Sequence, residues 1–164
     1  MVIQVYDDDM LNGKGLREVV FFQGCSHRCP GCFNPETWEF KGETKESIKR
    51  KNEFFKRVSN KLDKDYIDGI TLTGGDPLEP KNINQALEFI DLAKSKNKTV
   101  WVYTGYLYEQ IKDMYPGIIT LIDVLCDGPF IQSLKSPEKP WVGSSNQRVI
   151  DVQESLRQNK VVLV

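Results

Sequence analysis

The 164-residue sequence predicts an α/β fold, a partial (β/α) barrel built on a mainly parallel sheet. Three observations predict it. Short apolar, β-branched runs alternate with longer stretches of helical periodicity, the pattern of strand–helix–strand units. The strand candidates are apolar for most of their length, as strands covered by helices are. The chain is also too short for a closed eight-unit barrel, which needs about 250 residues. One domain over residues 1–164 takes in all of it, with a proper core.

The elements follow in order. Val2–Tyr6 is a short β-prone run, and the like charges of Asp7–Asp9 are expected to break it. Asn12-Gly13-Lys14-Gly15 forms a turn into a strand at Leu16–Phe22. Thr44 caps a helix from about Lys45 to Lys61, in which Ile48, Phe55, Val58 and Leu62 recur at helical spacing. The basic residues on its other face read as solvated. Gly69–Thr73 is a strand that ends in Gly74-Gly75-Asp76-Pro77. Asn82 caps a second helix, Ile83–Lys96, with Ile83, Leu87 and Ile90 as its apolar stripe. Thr99–Tyr103 is the next strand, ending in Thr104-Gly105, and a helix at Leu107–Met114 stops at Pro116-Gly117. Asp123–Cys126 is a strand ending in Asp127-Gly128-Pro129, followed by a proline-containing loop to Ser145. Gln147–Asp151 is a strand, Asp151 with Glu154 opens a short helix, and Val161–Val164 reads as a last strand.

Bulk properties exclude several function classes. A net charge of −1 leaves no basic surplus for a nucleic-acid footprint. No apolar run is long enough to span a membrane. The start, MVIQVYDDD, lacks the basic and apolar regions of a signal peptide. Four cysteines without export signals point to a reducing cytoplasm.

The chemistry is concentrated in Gln23–Trp38, QGCSHRCPGCFNPETW, where Cys25, Cys29 and Cys32 fall in a C-x3-C-x2-C pattern. Such a loop buries no core but can turn three thiolates onto a metal centre. Structural zinc and ordinary electron-transfer clusters take four protein ligands. A cubane iron–sulfur cluster held by three cysteines keeps one iron open for a small molecule. Three other readings remain: a Cys3His zinc site completed by His27, a disulfide with a spare thiol, and chance clustering. Cys126, on an apolar strand, reads as core. Cys25, Gly74-Gly75-Asp76, Thr104-Gly105 and Asp127-Gly128 each directly follow a strand. In parallel α/β folds those strand ends carry the site, so four loops should meet at one mouth.

The three-cysteine motif resembles the cluster motif of radical S-adenosylmethionine (SAM) enzymes. With NPETW (Asn34–Trp38), DGPF (Asp127–Phe130) and WVGSSNQRVID (Trp141–Asp151), the chain from about Leu16 to Asp151 resembles the activating enzymes of class III anaerobic ribonucleotide reductases. The resemblance implies a radical SAM type of partial barrel. It also implies a 4Fe-4S cluster on Cys25, Cys29 and Cys32, whose open iron binds SAM. Reductive cleavage of SAM would yield a 5′-deoxyadenosyl radical that removes a hydrogen from a glycine of the reductase large subunit. Gly74, Gly75, Asp76, Tyr103, Thr104 and Asp127 would border SAM, with Asp76 accepting from its ammonium group. An electron donor such as a flavodoxin is a further expected partner. Two small departures, Lys14 where the family has proline between glycines and Cys126, leave the implied chemistry unaffected, and Asp76 stands where the family's Gly-Gly-Glu-Pro-like segment has glutamate. Activation of another glycyl-radical enzyme such as a formate-lyase, a small-molecule radical SAM reaction such as deazapurine synthesis, and a zinc-binding module are the rival readings. Turn or capping roles for Asp76, Tyr103-Thr104 and Asp127 are the plain alternatives.

Overall fold

A computed structural model describes residues 1–164. Six strands, β1 (Val2–Asp9), β2 (Arg17–Phe22), β3 (Gly69–Gly74), β4 (Thr99–Tyr103), β5 (Val124–Asp127) and β6 (Arg148–Asp151), form one sheet in sequence order. Four helices, α1 (Lys45–Leu62), α2 (Ile83–Ser95), α3 (Tyr108–Met114) and α4 (Val152–Gln158), accompany them. The pairs β2–β3, β3–β4 and β4–β5 are parallel; β1 and β6 run antiparallel to their neighbours. The sheet is open, with β1 and β6 as its edges. The α/β class and the mainly parallel sheet therefore hold, and no closure into a barrel is present.

Side chains alternate across each strand, and the two faces are unlike. Val20, Phe22, Ile70, Leu72, Val100, Val102, Leu125 and Ile150 point to one face. There they join Val58 and Leu62 of α1, Ala86, Phe89 and Ile90 of α2, Ile111 of α3 and Val152 of α4 in a single core cluster. The other face carries a smaller cluster of Trp101, Cys126 and Val149. Arg17 is buried on this face without a carboxylate in contact. Its guanidinium donates to Thr71 Oγ1, to Thr99 Oγ1 and to the carbonyls of Lys14, Ile70 and Thr99. Desolvation draws its pKa down to about 10. Thr71 in turn donates to the Asn12 carbonyl, which ties the Asn12–Gly15 turn onto this helix-free face.

Several local readings change. β1 runs on through Asp7–Asp9, because α1 neutralises the charges: Arg57 pairs with Asp7 at 2.8 Å and Lys61 with Asp8 at 2.7 Å. A register shift after Tyr6, with Asp8 at φ +55°, absorbs the irregularity. Thr44 does cap α1, in a reciprocal pair with Ser47 (3.1 and 2.8 Å). Ile48 lies exposed, outside the apolar stripe. Asn82 precedes α2 but makes no cap bond, since its amide is committed elsewhere. Val161–Val164 does not form a strand; one bridge, Leu163 to Ile150, is all that pairs.

Candidate metal centre

The cysteine loop leaves β2 and is held by the chain's own hydrogen bonds. Gly24 and Cys25 donate backbone N–H groups to the carbonyls of Thr37 and Trp38 at 2.7 and 3.0 Å. The Gln23 amide donates to the Glu36 and Glu39 carbonyls, so a closed loop is stapled at its base. Ser26 gives both its N–H and its hydroxyl to Glu79 Oε1, at 2.7 and 2.5 Å. Tyr106 donates its hydroxyl to the other oxygen of Glu79 at 3.3 Å. His27 Nε2 meets Asp76 Oδ2 at 2.9 Å, and its ring stands edge-on to Tyr106 with centroids 4.5 Å apart. Two buried carboxylates from the segment after β3 thus hold the loop from behind.

Asp76 joins three strand ends. Its Oδ1 accepts the Leu78 N–H; its Oδ2 accepts from Thr104 Oγ1 and the Gly105 N–H and meets His27. A carboxylate has about four lone-pair sites, and four groups of the chain use them. The Asp76 bond raises the His27 pKa above its ordinary value. Asn82 completes the junction by donating its amide to the Gly24 and Asp76 carbonyls. Glycines permit the close packing. Gly74 adopts φ +103°, and any side chain there would strike the Phe22 backbone, while a Cβ on Gly105 would enter the His27 ring.

The result is a cavity of about 130 Å³ lined by Cys25, Cys29 and Cys32, by Gly74, Gly75, Tyr103 and Thr104, and by Cys126, Phe130 and Gln147. The loops after β2, β3, β4 and β5 meet here, as their positions at strand ends required. Of the six residues expected to border a ligand, Gly74, Gly75, Tyr103 and Thr104 line the cavity. Asp76 lies behind it. Asp127 belongs to β5, faces away and is fully buried: it accepts the Tyr108 N–H and forms an ion pair with Arg148. Gln147 and Asn146 bolt the loop before β6 to the segment after β5, donating to the Gly128 and Pro129 carbonyls.

The donor set suits a cluster better than a single ion. The three cysteine sulfurs do not gather within 4.8 Å of one another; the close group is Cys25, His27 and Glu79. A tetrahedral ion at about 2.3 Å from each sulfur needs tighter convergence. Irons that each take one thiolate do not. His27, committed to Asp76, orients the loop. Burial pushes Cys25 up to about 11 and raises Cys29, so both are thiols until an iron supplies positive charge. The Asn34 N–H already donates to Cys32 Sγ at 3.3 Å. Cys126 is buried beside Tyr103 and its thiol is pushed up to about 12, the behaviour of a core residue at the cavity floor.

The roles of Glu79 and Tyr106 at the site escape a reading of the sequence, as does that of Asn82, which reads there as a helix cap. A single glutamate after a proline turn looks like any solvated acid, and only the fold places its carboxylate under Ser26.

Comparison with known proteins agrees with this geometry. A family model described as a 4Fe-4S single cluster domain matches residues 11–150. The chain is similar to the anaerobic ribonucleoside-triphosphate reductase-activating protein of Salmonella typhi, with 38% identity over 154 residues, 89% of this chain and 95% of that one. The protein of that name from Escherichia coli strain K12 is 37% identical over the same shares. That of enterobacteria phage T4 is 36% identical over 148 residues, covering 89% of this chain and 90% of its own. Likeness of that extent, carried through the loops that enclose the three cysteines, makes this chain a member of the anaerobic ribonucleoside-triphosphate reductase-activating protein family.

Proposed function

We propose that this protein is a radical SAM activase that places a glycyl radical on an anaerobic ribonucleoside-triphosphate reductase. One observation carries the reading: three cysteines of one loop face a cavity walled by strand-end glycines, while the other possible ligands that line it are engaged elsewhere, His27 by Asp76 and Cys126 in the packing beside Tyr103. Cys25, Cys29 and Cys32 would hold a 4Fe-4S cluster, which would supply one electron for the cleavage of SAM into methionine and a 5′-deoxyadenosyl group. The hydrogen atom lost from the α carbon of a reductase glycine would leave in 5′-deoxyadenosine, and the glycyl radical would stay on the reductase. A one-electron donor such as a flavodoxin would replace the electron used.

The chain's own residues bind, orient and shield. Gly74 and Gly75 let backbone approach SAM without side-chain interference. Tyr103 and Thr104 border it from β4. Asp76 and Glu79 fix the loop that carries the cysteines, and Asp127 with Arg148 fixes the end of β5. Tyr103, whose pKa burial raises, stays a neutral phenol and brings no charge to the radical's surroundings.

The test is electron paramagnetic resonance of an anaerobic mixture of this protein, SAM, a reductant and the cognate reductase. A glycyl doublet is expected, absent when SAM or reductant is omitted or when the reductase glycine is changed to alanine. SAM cleavage beside a reductase that stays radical-free would overturn the assignment of partner. Zinc without sulfide in the anaerobically purified protein would overturn the chemistry.

A further inference from the structure

The cavity at the cysteines does not end at Tyr103 and Phe130. A larger open recess of about 490 Å³ continues from it along the helix-free face of the sheet. Thr73, Tyr103, Phe130 and Gln147 border both spaces. The walls of the recess come from three separate loops: Leu11 from the β1–β2 connection, Phe33 and Asn34 from the cysteine loop, Trp141 and Val142 from the loop before β6.

Three features of these walls bear on what could dock there. Leu11 is 82% and Phe33 62% exposed, and Met10, next to Leu11 in the chain, is 72% exposed. Large apolar groups gathered around one opening mark a contact surface. Trp141 stands at φ +62°, edge-on to Trp101 with ring centroids 5.1 Å apart. A bulky residue persists in that region only where its surroundings impose it, and such strain gathers at binding sites. Asn34 gives its N–H to Cys32 and its carbonyl to the Thr37 hydroxyl, which leaves its side-chain amide for a ligand.

We propose that this recess seats the glycine-bearing segment of the reductase as an extended strip. Leu11, Phe33 and Trp141 grip the side chains on either side of the glycine, and the Asn34 amide bonds the strip's backbone. The inference rests on the proposed function and names the surface it needs. Hydrogen abstraction requires reacting atoms about 3–3.5 Å apart, so the glycine must reach the cavity at the cysteines. Glycine has no side chain to hold. Recognition must then come from its neighbours and its backbone, and the adjoining recess offers apolar walls and one free amide for that purpose.

The experiment measures binding of the intact cognate reductase to surface-held activase, anaerobically and with SAM, alongside glycyl radical yield at limiting and saturating reductase. The proteins are wild type, Leu11→Glu, Leu11→Met, Phe33→Ala and a remote control, Lys56→Glu on α1. Iron, sulfide and melting temperature are measured for each, and a variant short of cluster is set aside in favour of the others. Leu11→Glu should weaken binding about tenfold or more and lower radical yield at limiting reductase, with recovery at saturation. Lys56→Glu should match wild type, and Leu11→Met, which keeps an apolar side chain at the seat, should retain most of the binding that Leu11→Glu loses. If wild type makes the radical and both Leu11→Glu and Phe33→Ala bind the reductase as tightly as wild type, the seat is wrong and the activase reading stands. If wild type leaves the reductase radical-free, the activase reading fails and the seat with it.

Discussion

Replacing Asp76 by asparagine removes a charge and one acceptor while keeping the shape. In the native protein the carboxylate is 1% exposed and engages four groups: the Leu78 N–H, Thr104 Oγ1, the Gly105 N–H and His27 Nε2. If the asparagine oxygen stays with Leu78, its NH2 group points at the Gly105 N–H, donor against donor. The Thr104 hydroxyl can rotate to accept, and His27 can present its unprotonated nitrogen. The Gly105 N–H has no such freedom. If the amide flips, the Leu78 N–H is orphaned in the same way. Leaving one buried N–H unpaired costs about 1–3 kcal/mol. At about 2–4 °C per kcal/mol for a chain of this size, the melting temperature should fall by roughly 2–12 °C. Asp76→Ala, which orphans more donors at once, should fall further. Thermal unfolding of the metal-free proteins, kept reduced and followed by circular dichroism, reads the effect without involving SAM. An asparagine variant that melts within a degree of wild type would show that the carboxylate does not hold the strand ends together, and would return it to contact with a bound ammonium group.

Further outcomes are expected elsewhere. Alanine at Cys25, Cys29 or Cys32 should abolish iron and sulfide retention after anaerobic reconstitution, whereas Cys126→Ala should retain both and lose only packing. Glu79→Gln removes a negative charge held within 4.8 Å of the Cys25 sulfur. It should raise the cluster's reduction potential, by roughly 100 mV or less at protein-like screening, as read by spectroelectrochemistry. Glu18 is fully buried, with Oε2 unpaired, and burial raises its pKa from 4.5 to about 7. The folded state therefore binds the extra proton between those values. Its contribution to stability is complete below pH 4.5 and is lost as pH rises through 7. Urea midpoints should fall from pH 5.5 to pH 8 in wild type, and Glu18→Gln should flatten that slope.

The alternation of strands and helices was legible because each run is long enough to show its period, as Gly69–Thr73 and Thr99–Tyr103 do. Partners remote in sequence were not. Asp7–Asp9 looks like a break until Arg57 and Lys61, on a helix fifty residues later, stand beside it. The direction of β6 was hidden because a Pro-rich connection can return a strand either way. At the site, the cysteines announce themselves by spacing and the glycines by position after strands. What Asp76 and Asp127 face depends on which side of a strand end they leave, and one residue of difference reverses it. Asp127 lies one residue beyond Cys126, which faces the cavity, and so it turns away.

The stapled cysteine loop bears on how far the shape of the site depends on its metal. Ordering a loop residue costs about 1–2 kcal/mol, and small zinc modules meet that cost only when metal arrives, which is why they unravel without it. Here Gln23, Ser26, His27 and the Thr37–Trp38 carbonyls hold the loop with protein bonds alone. The backbone of the cysteine loop is therefore expected to keep its form when a cluster is removed. Reconstitution with iron, sulfide and a reductant should then need no refolding, and circular dichroism of the metal-free and reconstituted proteins should superimpose.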